Sequence, residues 1–121
     1  MRLIERKMLQ AIYSKTDWKC DNTEVVVTYF AHADKPIERI NVYLWGSNIA
    51  TITVDHVEIC DCRYQTPTTK SRLNAILHEL CGAGIYQKNH IWYATAEGEV
   101  DWEIEEGSKQ LFYRGESKVL S

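Results

Sequence analysis

Apolar residues recur at intervals of three and four in two stretches of the chain, a spacing typical of amphipathic helices. The first stretch covers residues 2–14, with Arg2, Arg6 and Gln10 on its polar side. The second covers residues 66–81. We predict two helices that pack their apolar sides against a sheet. In the second helix, the packing residues follow the i, i+3, i+4, i+7 rule: Leu73, Ile76, Leu77 and Leu80.

Particular residues mark both ends of the second helix. Thr66 and Thr68 are both suitable N-caps, and Pro67 between them is tolerated in the first helical turn. Gly82 or Gly84 is predicted to end the helix, because glycine readily adopts the left-handed conformation of a helix C-terminus.

Elsewhere, β-branched and aromatic residues alternate with clusters of turn residues, which predicts strands. Strands are predicted at 24–30, 57–60, 99–106 and 110–114, with hairpins at 39–54 and 85–95 that turn at Gly46-Ser47-Asn48 and Lys88-Asn89. Residues 16–23 are predicted to be a linker, 32–36 a turn and 117–121 a loose tail. The order α-β-β-β-β-α-β-β-β predicts one α+β domain over residues 1–116, mainly antiparallel, with two amphipathic helices.

The second predicted hairpin has a defined register. With Lys88-Asn89 as its turn, Gln87 faces His90, Tyr86 faces Ile91 and Ile85 faces Trp92.

Charged and apolar residues alternate strictly from residue 99 to residue 106. A strand with this pattern buries Val100, Trp102 and Ile104 and shows a row of carboxylates on its other face. Such a row either prevents unwanted pairing at a sheet edge or offers a complementary surface to a basic partner. The carboxylates are Glu99, Asp101, Glu103 and Glu105.

Composition and charge narrow the class of protein. The 121 residues are 45% hydrophobic and 26% charged, and no apolar run approaches the ~20 residues of a membrane helix. The start of the chain does not follow a signal-peptide pattern, so we expect a cytoplasmic protein with reduced cysteines and no membrane partner. The net charge of −3 argues against strong nonspecific nucleic-acid binding. The acidity is concentrated in residues 91–121, which hold 3 Lys and Arg against 7 Asp and Glu.

The start of the second helix nevertheless carries basic and hydroxyl side chains. Lys70, Ser71 and Arg72 follow the N-cap, where unpaired N–H groups favour an anion. Lys88 and His90 lie in the next hairpin, and a helix followed by a hairpin also occurs in winged DNA-binding domains. The tight helix-turn-helix of those domains is missing here. These residues form a candidate site for DNA or RNA, and the alternative is a capped helix start exposed to water.

The chain contains cysteine and histidine residues, which can hold a metal or act as nucleophiles. They lack the two closely spaced pairs of a structural metal site. His56, Cys60 and Cys62 lie within seven residues, with Cys20 or Cys81 as a candidate fourth ligand. Structural zinc sites usually combine two closely spaced pairs, and no second pair follows here. The chain also has no phosphate loop, G-x-S-x-G or H-E-x-x-H sequence. We therefore expect no metal, no cofactor and no catalytic residue, and we rank a small-molecule enzyme third among the functions.

Five stretches of the chain resemble a family of small proteins encoded by tailed phages, especially marine and cyanobacterial phages. They are RLIERKMLQAI, DWKCDNTEV, VYLWGSNIAT, TPTTKSRLNAIL and YQKNHIWY, in the family's order over residues 2–93. The chain departs from the family at Trp45-Gly46-Ser47-Asn48, where members tend to have His-Gly-Asn, at Arg63-Tyr64, where they tend to have Gly-Trp, and in the acidic stretch 99–106. The resemblance implies a phage protein made inside a bacterial cell, and it supplies no catalytic residue.

These observations favour a non-enzymatic phage accessory protein that binds a host or phage protein. The acidic row supports this prediction, as does a number of aromatic residues larger than a small sheet can bury. Trp45, in the first predicted hairpin, joins the four carboxylates as a candidate contact. A second copy of the chain is an alternative partner, and nucleic-acid binding through the second helix is the alternative function.

Overall fold

Helix α1 spans Leu3–Ser14 in the computed structural model, which describes residues 1–32 and 35–115. Met8, Ala11 and Ile12 are buried, whereas Leu3 is exposed at the first turn. The predicted polar side is confirmed, because Arg2, Arg6 and Gln10 are all exposed.

Helix α2 spans Pro67–Cys81 and has the predicted caps. The Thr66 hydroxyl accepts a hydrogen bond from the Thr69 N–H at 3.1 Å, so Thr66 rather than Thr68 is the N-cap. Gly82 is the C-cap and has a φ of 62°, a left-handed conformation that favours glycine. Among the described residues, no helix is long and apolar enough to cross a membrane.

The described residues form two antiparallel sheets, so the predicted α+β class is confirmed. The strands are β1 (Trp18–Cys20), β2 (Thr23–His32), β3 (Lys35–Leu44), β4 (Ser47–Ile52), β5 (His56–Cys60), β6 (Gly84–Lys88), β7 (Ile91–Thr95), β8 (Trp102–Glu103) and β9 (Lys109–Tyr113). The large sheet has the order β1-β2-β3-β4-β5-β9, and the small sheet has the order β6-β7-β8.

One face of the large sheet supplies much of the core. The strand registers place Val25, Val42, Ala50 and Ile59 in one row across β2 to β5, and all four are buried. Helices α1 and α2 contact this sheet and each other. The predicted apolar stripe of α2 is confirmed, because each of its four residues is at most 3% exposed: Leu73, Ile76, Leu77 and Leu80.

The predicted linker at residues 16–23 is wrong, because it contains a strand. Cys20 pairs with Thr23, so Asp21 and Asn22 form a two-residue turn between β1 and β2. Asp21 has a φ of 50°, which aspartate tolerates better than most residues. Because the turn residues are polar, the sequence pattern did not indicate a hairpin here. The observed order of elements is α-β-β-β-β-β-α-β-β-β-β.

Neither predicted hairpin turn has the right residues: the first, at 46–48, is one residue too long and starts one residue late, and the second, at 88–89, starts one residue early. The turn between β3 and β4 is Trp45-Gly46, and the turn between β6 and β7 is Asn89-His90. All four turn residues have positive φ, as two-residue hairpin turns of this kind require at both central positions. In the second hairpin, Tyr86 therefore faces Tyr93 rather than the predicted Ile91.

The other pairings predicted for the second hairpin are wrong for the same reason. Gln87 faces Trp92, and Ile85 faces Ala94.

Two predicted features fall partly or wholly outside the described residues. The predicted turn at 32–36 lies partly outside them, because residues 33 and 34 are not described. The predicted tail at 117–121 lies wholly outside them.

A buried ion pair joins the two helices. Nη1 of Arg72 in α2 donates to Oε2 of Glu5 in α1 at 2.8 Å, and both side chains are 4% exposed. Nε of Arg72 also donates to the Thr23 hydroxyl at 3.0 Å, and the Ser71 hydroxyl donates to Glu5. These contacts connect α1, α2 and the start of β2, and they leave neither charge alone in the interior.

Replacing Leu77 with alanine tests the packing of α2. Leu77 is fully buried, so we expect Leu77→Ala to lower the free energy of unfolding by about 2–5 kcal/mol. The matched control is Glu79→Ala, two positions along the same helix and exposed, for which we expect a change of about 0.5 kcal/mol or less. Urea denaturation measures both, and equal midpoints for the two variants would contradict the assignment.

Removing one partner of the buried ion pair should cost more than removing both. We expect Arg72→Met to lower the free energy of unfolding by about 3–5 kcal/mol, because the Glu5 carboxylate would be left without its cation. The double variant Glu5→Leu with Arg72→Met should recover most of that loss. A double-mutant cycle by urea denaturation measures the coupling, and strictly additive effects would rule the interaction out.

Candidate functional site

The basic start of α2 does not form the predicted exposed site. Arg72 is 3% exposed and bonded to Glu5 and Thr23, so its guanidinium does not face outward. Ser71 directs its hydroxyl to the same Glu5 carboxylate. Lys70 is half-buried and is the one residue of the three whose side chain is not in this cluster. The expectation that all three side chains point outward is therefore wrong, because the acidic partner of Arg72 lies 67 residues away.

The hairpin that carries Lys88 and His90 runs back along α2. A Cβ at Gly84 would lie 2.8 Å from Nε2 of His78 and 3.2 Å from Oδ1 of Asn74, so a larger residue at the start of β6 would have to displace the His78 side chain. The next residue of β6, Ile85, bonds through its N–H and C=O to the Asn74 side chain. Lys88 and His90 are exposed at the end of this hairpin.

The acidic stretch forms a strand over two residues only, so the predicted strand at 99–106 is wrong. Val100 is 89% exposed, whereas Ile104 is 4% exposed. A turn closed by the Glu99 N–H and the Ala96 C=O precedes β8, and Gly98 in that turn has a φ of 79°. The stretch ends at a second turn, where the Ser108 N–H donates to the Glu105 C=O. The four predicted carboxylates are nevertheless all exposed: Glu99, Asp101, Glu103 and Glu105.

Two of these carboxylates lie beside a pair of tyrosines. Tyr86 and Tyr93 face each other across β6 and β7, with ring centroids 5.4 Å apart and an interplanar angle of 20°. The Tyr86 hydroxyl donates to Oδ2 of Asp101 at 2.7 Å, and Glu103 pairs with Tyr93 in the register of β7 and β8. Ile91 lies two residues from Tyr93 and is 38% exposed. We call these five residues the acidic tyrosine face.

The electrostatics of this face suit a cation. The hydrogen bond to Asp101, with burial and the Asp101 charge as smaller causes, raises the pKa of Tyr86 above its ordinary value. Tyr86 therefore stays neutral near pH 7, and the face holds the carboxylates of Asp101 and Glu103 beside two aromatic rings. Aromatic rings attract Lys and Arg side chains through their faces, and carboxylates bind them by ion pairing. The arrangement is suited to contact with a basic partner.

Sequence reasoning missed the tyrosine pair because it depends on the hairpin register. With the turn at Lys88-Asn89, Tyr86 and Tyr93 would not be opposite each other. The signal that would have found the pair is Asn89, because asparagine tolerates the positive φ required at the first central position of such a turn.

Trp45 is exposed but lies elsewhere. It is 54% exposed at the turn between β3 and β4, and its N–H donates to the Asn22 C=O at 2.8 Å. In the described part of the chain, no hydrogen bond or ring contact joins Trp45 to the acidic tyrosine face. The broader prediction that some aromatics are exposed is confirmed by Trp45, Tyr64 and Tyr86.

Cys60 and Cys62 lie side by side, with the Cys62 N–H donating to Sγ of Cys60 at 3.2 Å, but His56 is bonded elsewhere. The Cys60 thiol lies beside the Gly107 C=O, and the Cys62 thiol donates to the Asn48 C=O at 3.1 Å. His56 bonds through Nδ1 to Asp55 at 2.7 Å, at the turn between β4 and β5. A search of the described residues finds no group of three or more His, Cys, Asp or Glu side chains that could hold a metal ion. Burial, followed by the neighbouring Cys60 and Asp61, raises the pKa of the Cys62 thiol to about 11.

A buried carboxylate fixes the end of the acidic stretch. Asp61 is 2% exposed, and its Oδ1 accepts from the Arg63 N–H at 2.9 Å and the Gly107 N–H at 2.7 Å. Its Oδ2 accepts from the Gln65 side chain at 2.9 Å. Asp61 therefore ties the loop before α2 to the turn before β9. Its two backbone donors and the Gln65 amide indicate a structural role.

Comparison with known proteins connects the chain to phages. The family model described as Kyanoviridae Gp96 protein matches residues 1–117, which is nearly the whole chain. Comparison with curated proteins found no match, and neither did comparison with solved structures. The predicted resemblance to small cyanophage proteins is confirmed, and the chain belongs to the Kyanoviridae Gp96 family.

Proposed function

We propose that this protein is a non-enzymatic phage accessory protein that acts in the host cytoplasm by binding a host or phage protein. The acidic tyrosine face is the contact surface, and the partner presents Lys or Arg side chains to it. The observation that carries the proposal is the stacked pair of Tyr86 and Tyr93 with Asp101 bonded to one of them.

The physical properties of this face support protein binding. Tyrosine is enriched among the residues that dominate binding energy, because it offers a rigid apolar surface and a polar hydroxyl. The hydrogen bond to Asp101 and the stacking restrain Tyr86 before binding, so less side-chain entropy is lost when a partner arrives. The carboxylates of Asp101 and Glu103 add electrostatic attraction that speeds the encounter with a basic surface.

The nucleic-acid alternative has less support than the sequence suggested. It keeps Lys70, Lys88 and His90, but Arg72 and Ser71 are bonded within the protein. The net charge of −3 and the acidic tyrosine face both oppose a phosphate backbone. For the enzyme alternative, the pKa of the Cys62 thiol is raised, which opposes a role of this cysteine as a nucleophile.

Neutralising the acidic tyrosine face should weaken capture of a partner. The bait is full-length protein immobilised in lysate of infected host cells, treated with nuclease or left untreated. We expect Asp101→Asn with Glu103→Gln to slow association with the captured partner by about threefold or more at 50 mM salt and to converge with wild type at 0.5 M salt. The matched control is Glu24→Gln with Glu79→Gln, which removes the same charge away from this face.

Two results would contradict the proposal. One is identical association kinetics for the two double variants at every salt concentration. The other is a captured partner that disappears after nuclease treatment, which would favour nucleic-acid binding through Lys70 and Lys88.

The raised pKa of Cys62 predicts low reactivity toward iodoacetamide. Thiolate is the reacting species, and a shift of the pKa from 9.0 to about 11 keeps Cys62 protonated near pH 8. We expect alkylation of Cys62 to be at least about tenfold slower in the folded protein than in 8 M urea, measured by peptide mass spectrometry. Equal rates, or faster alkylation in the folded protein, would revive the enzyme alternative with Cys62 as its nucleophile.

A further inference from the structure

A groove of about 490 Å³ runs beside β9, at the edge of the large sheet. Four consecutive residues of β9 line it, from Gln110 to Tyr113. Successive side chains of a strand point to opposite faces, so a groove that touches all four lies along the strand edge rather than over one face. Trp102 also lines it, and its ring lies 5.4 Å from that of the buried Phe112, measured between centroids.

The backbone of β9 directs hydrogen-bonding groups into this groove. The Arg114 N–H donates to the Asp55 C=O at 2.9 Å, on the side of β5. Backbone groups in an antiparallel ladder alternate in direction, so Phe112 and Gln110 also point toward β5, while Leu111 and Tyr113 point away from it. In residues 1–32 and 35–115, no hydrogen bond engages the outward N–H and C=O groups of Leu111 and Tyr113.

The other sheet edges differ from β9 in length or in cover. At the opposite edge of the large sheet, β1 has three residues and pairs only with residues 23–25 of the ten-residue β2, which continues beyond it. In the small sheet, β8 has two residues. The free side of β6 is closed at Ile85 by the Asn74 side chain, which bonds both its N–H and its C=O. Proteins usually shorten or cover strand edges because open edges pair with other chains. The five-residue edge of β9 is the edge along which the groove runs.

The negative charge around the groove indicates the charge of the partner that would fit it. Glu97 and Glu99 line it, and among the described residues no Lys or Arg forms an ion pair with either. The basic residues of this region are engaged elsewhere: Lys109 lies 3.9 Å from Glu58, and Arg114 donates to the Thr53 C=O. A second copy paired through the same edge would bring a second set of these carboxylates, and like charges repel. A basic segment is favoured instead.

We infer that β9 is a docking edge for an extended basic segment of a partner protein, which adds to the large sheet as a further strand. Its backbone pairs with Leu111 and Tyr113, its apolar side chains contact Trp102, and its Lys or Arg side chains reach Glu97 and Glu99. Main-chain hydrogen bonds supply affinity in this mode of recognition, and the side chains supply specificity. None of these residues belongs to the acidic tyrosine face, so different variants test the two proposals.

The test uses full-length ¹⁵N-labelled protein and the peptide acetyl-(Lys-Val)₄-amide. We expect the amide signals of Leu111 and Tyr113 to shift on titration and to gain protection from hydrogen exchange. The control peptide has the same sequence with N-methyl groups on alternate residues, which removes main-chain donors and keeps the charge. We expect it to bind about tenfold more weakly or worse.

Variants of the protein test the same contacts from the other side. Leu111→Pro removes an outward N–H while leaving the pairing of β9 with β5, since proline is tolerated where an edge strand faces solvent. We expect about tenfold weaker binding for Leu111→Pro than for Leu111→Ala, which keeps the N–H. Glu97→Gln with Glu99→Gln should weaken binding about threefold at 50 mM salt and have no effect at 0.5 M. If Leu111→Pro does not fold, the N-methylated peptide and the glutamine variant still test whether strand addition occurs at β9.

Three results would overturn the inference. The first is equal binding of the two peptides, because strand addition needs the main-chain donors. The second is peptide-induced shifts confined to β1 or β6. The third is protection of the Leu111 and Tyr113 amides from hydrogen exchange in the free protein. Light scattering would show whether a dimer protects them. Loss of the protection in a chain ending at Gly115 would show that residues 116–121 do so.

Discussion

The buried ion pair between Glu5 and Arg72 is the contact on which the arrangement of the two helices depends. The carboxylate comes from the first turns of α1, and the guanidinium comes from the first turns of α2. Either charge alone in the interior would be costly, so each helix is held to the position that satisfies the other. The additional bond from Arg72 to Thr23 fixes both helices relative to the start of β2. This cluster also keeps the Arg72 guanidinium, one of the cationic groups at the start of α2, inside the protein.

The conformation of the second hairpin turn determines which side chains meet on the surface of the small sheet. Two consecutive residues with positive φ, Asn89 and His90, close the second hairpin. That turn places Tyr86 opposite Tyr93, and the pairing of β7 with β8 places Glu103 beside them. A turn one residue earlier would have paired Tyr86 with Ile91. The composition of the acidic tyrosine face is therefore determined by a two-residue turn and by the bond of Asp101 to Tyr86.

Local features of the sequence were enough to predict the fold class and both helices. The stripe of α2, its Thr66 cap and the glycine at its end depend on residues within one or two turns of each other. The predictions failed where the deciding partner is distant in sequence. Arg72 has the spacing of a flanking surface residue, and only Glu5 explains its burial. Alternation over residues 99–106 likewise predicted a strand, although two turns and the bonds to Asp61 confine pairing to β8.

The acidic stretch cannot be explained by stability alone. Its exposed carboxylates repel one another, and no Lys or Arg of the described residues forms an ion pair with Glu99, Asp101, Glu103 or Glu105. Asp101 is held by a tyrosine hydroxyl, which orients the charge without neutralising it. The same stretch borders both surfaces, since Glu99 lines the groove beside β9 and Glu103 lies by Tyr93. A basic partner that bound one surface would therefore approach the other, and a single chain that contacted both would gain from the high effective concentration of its second segment.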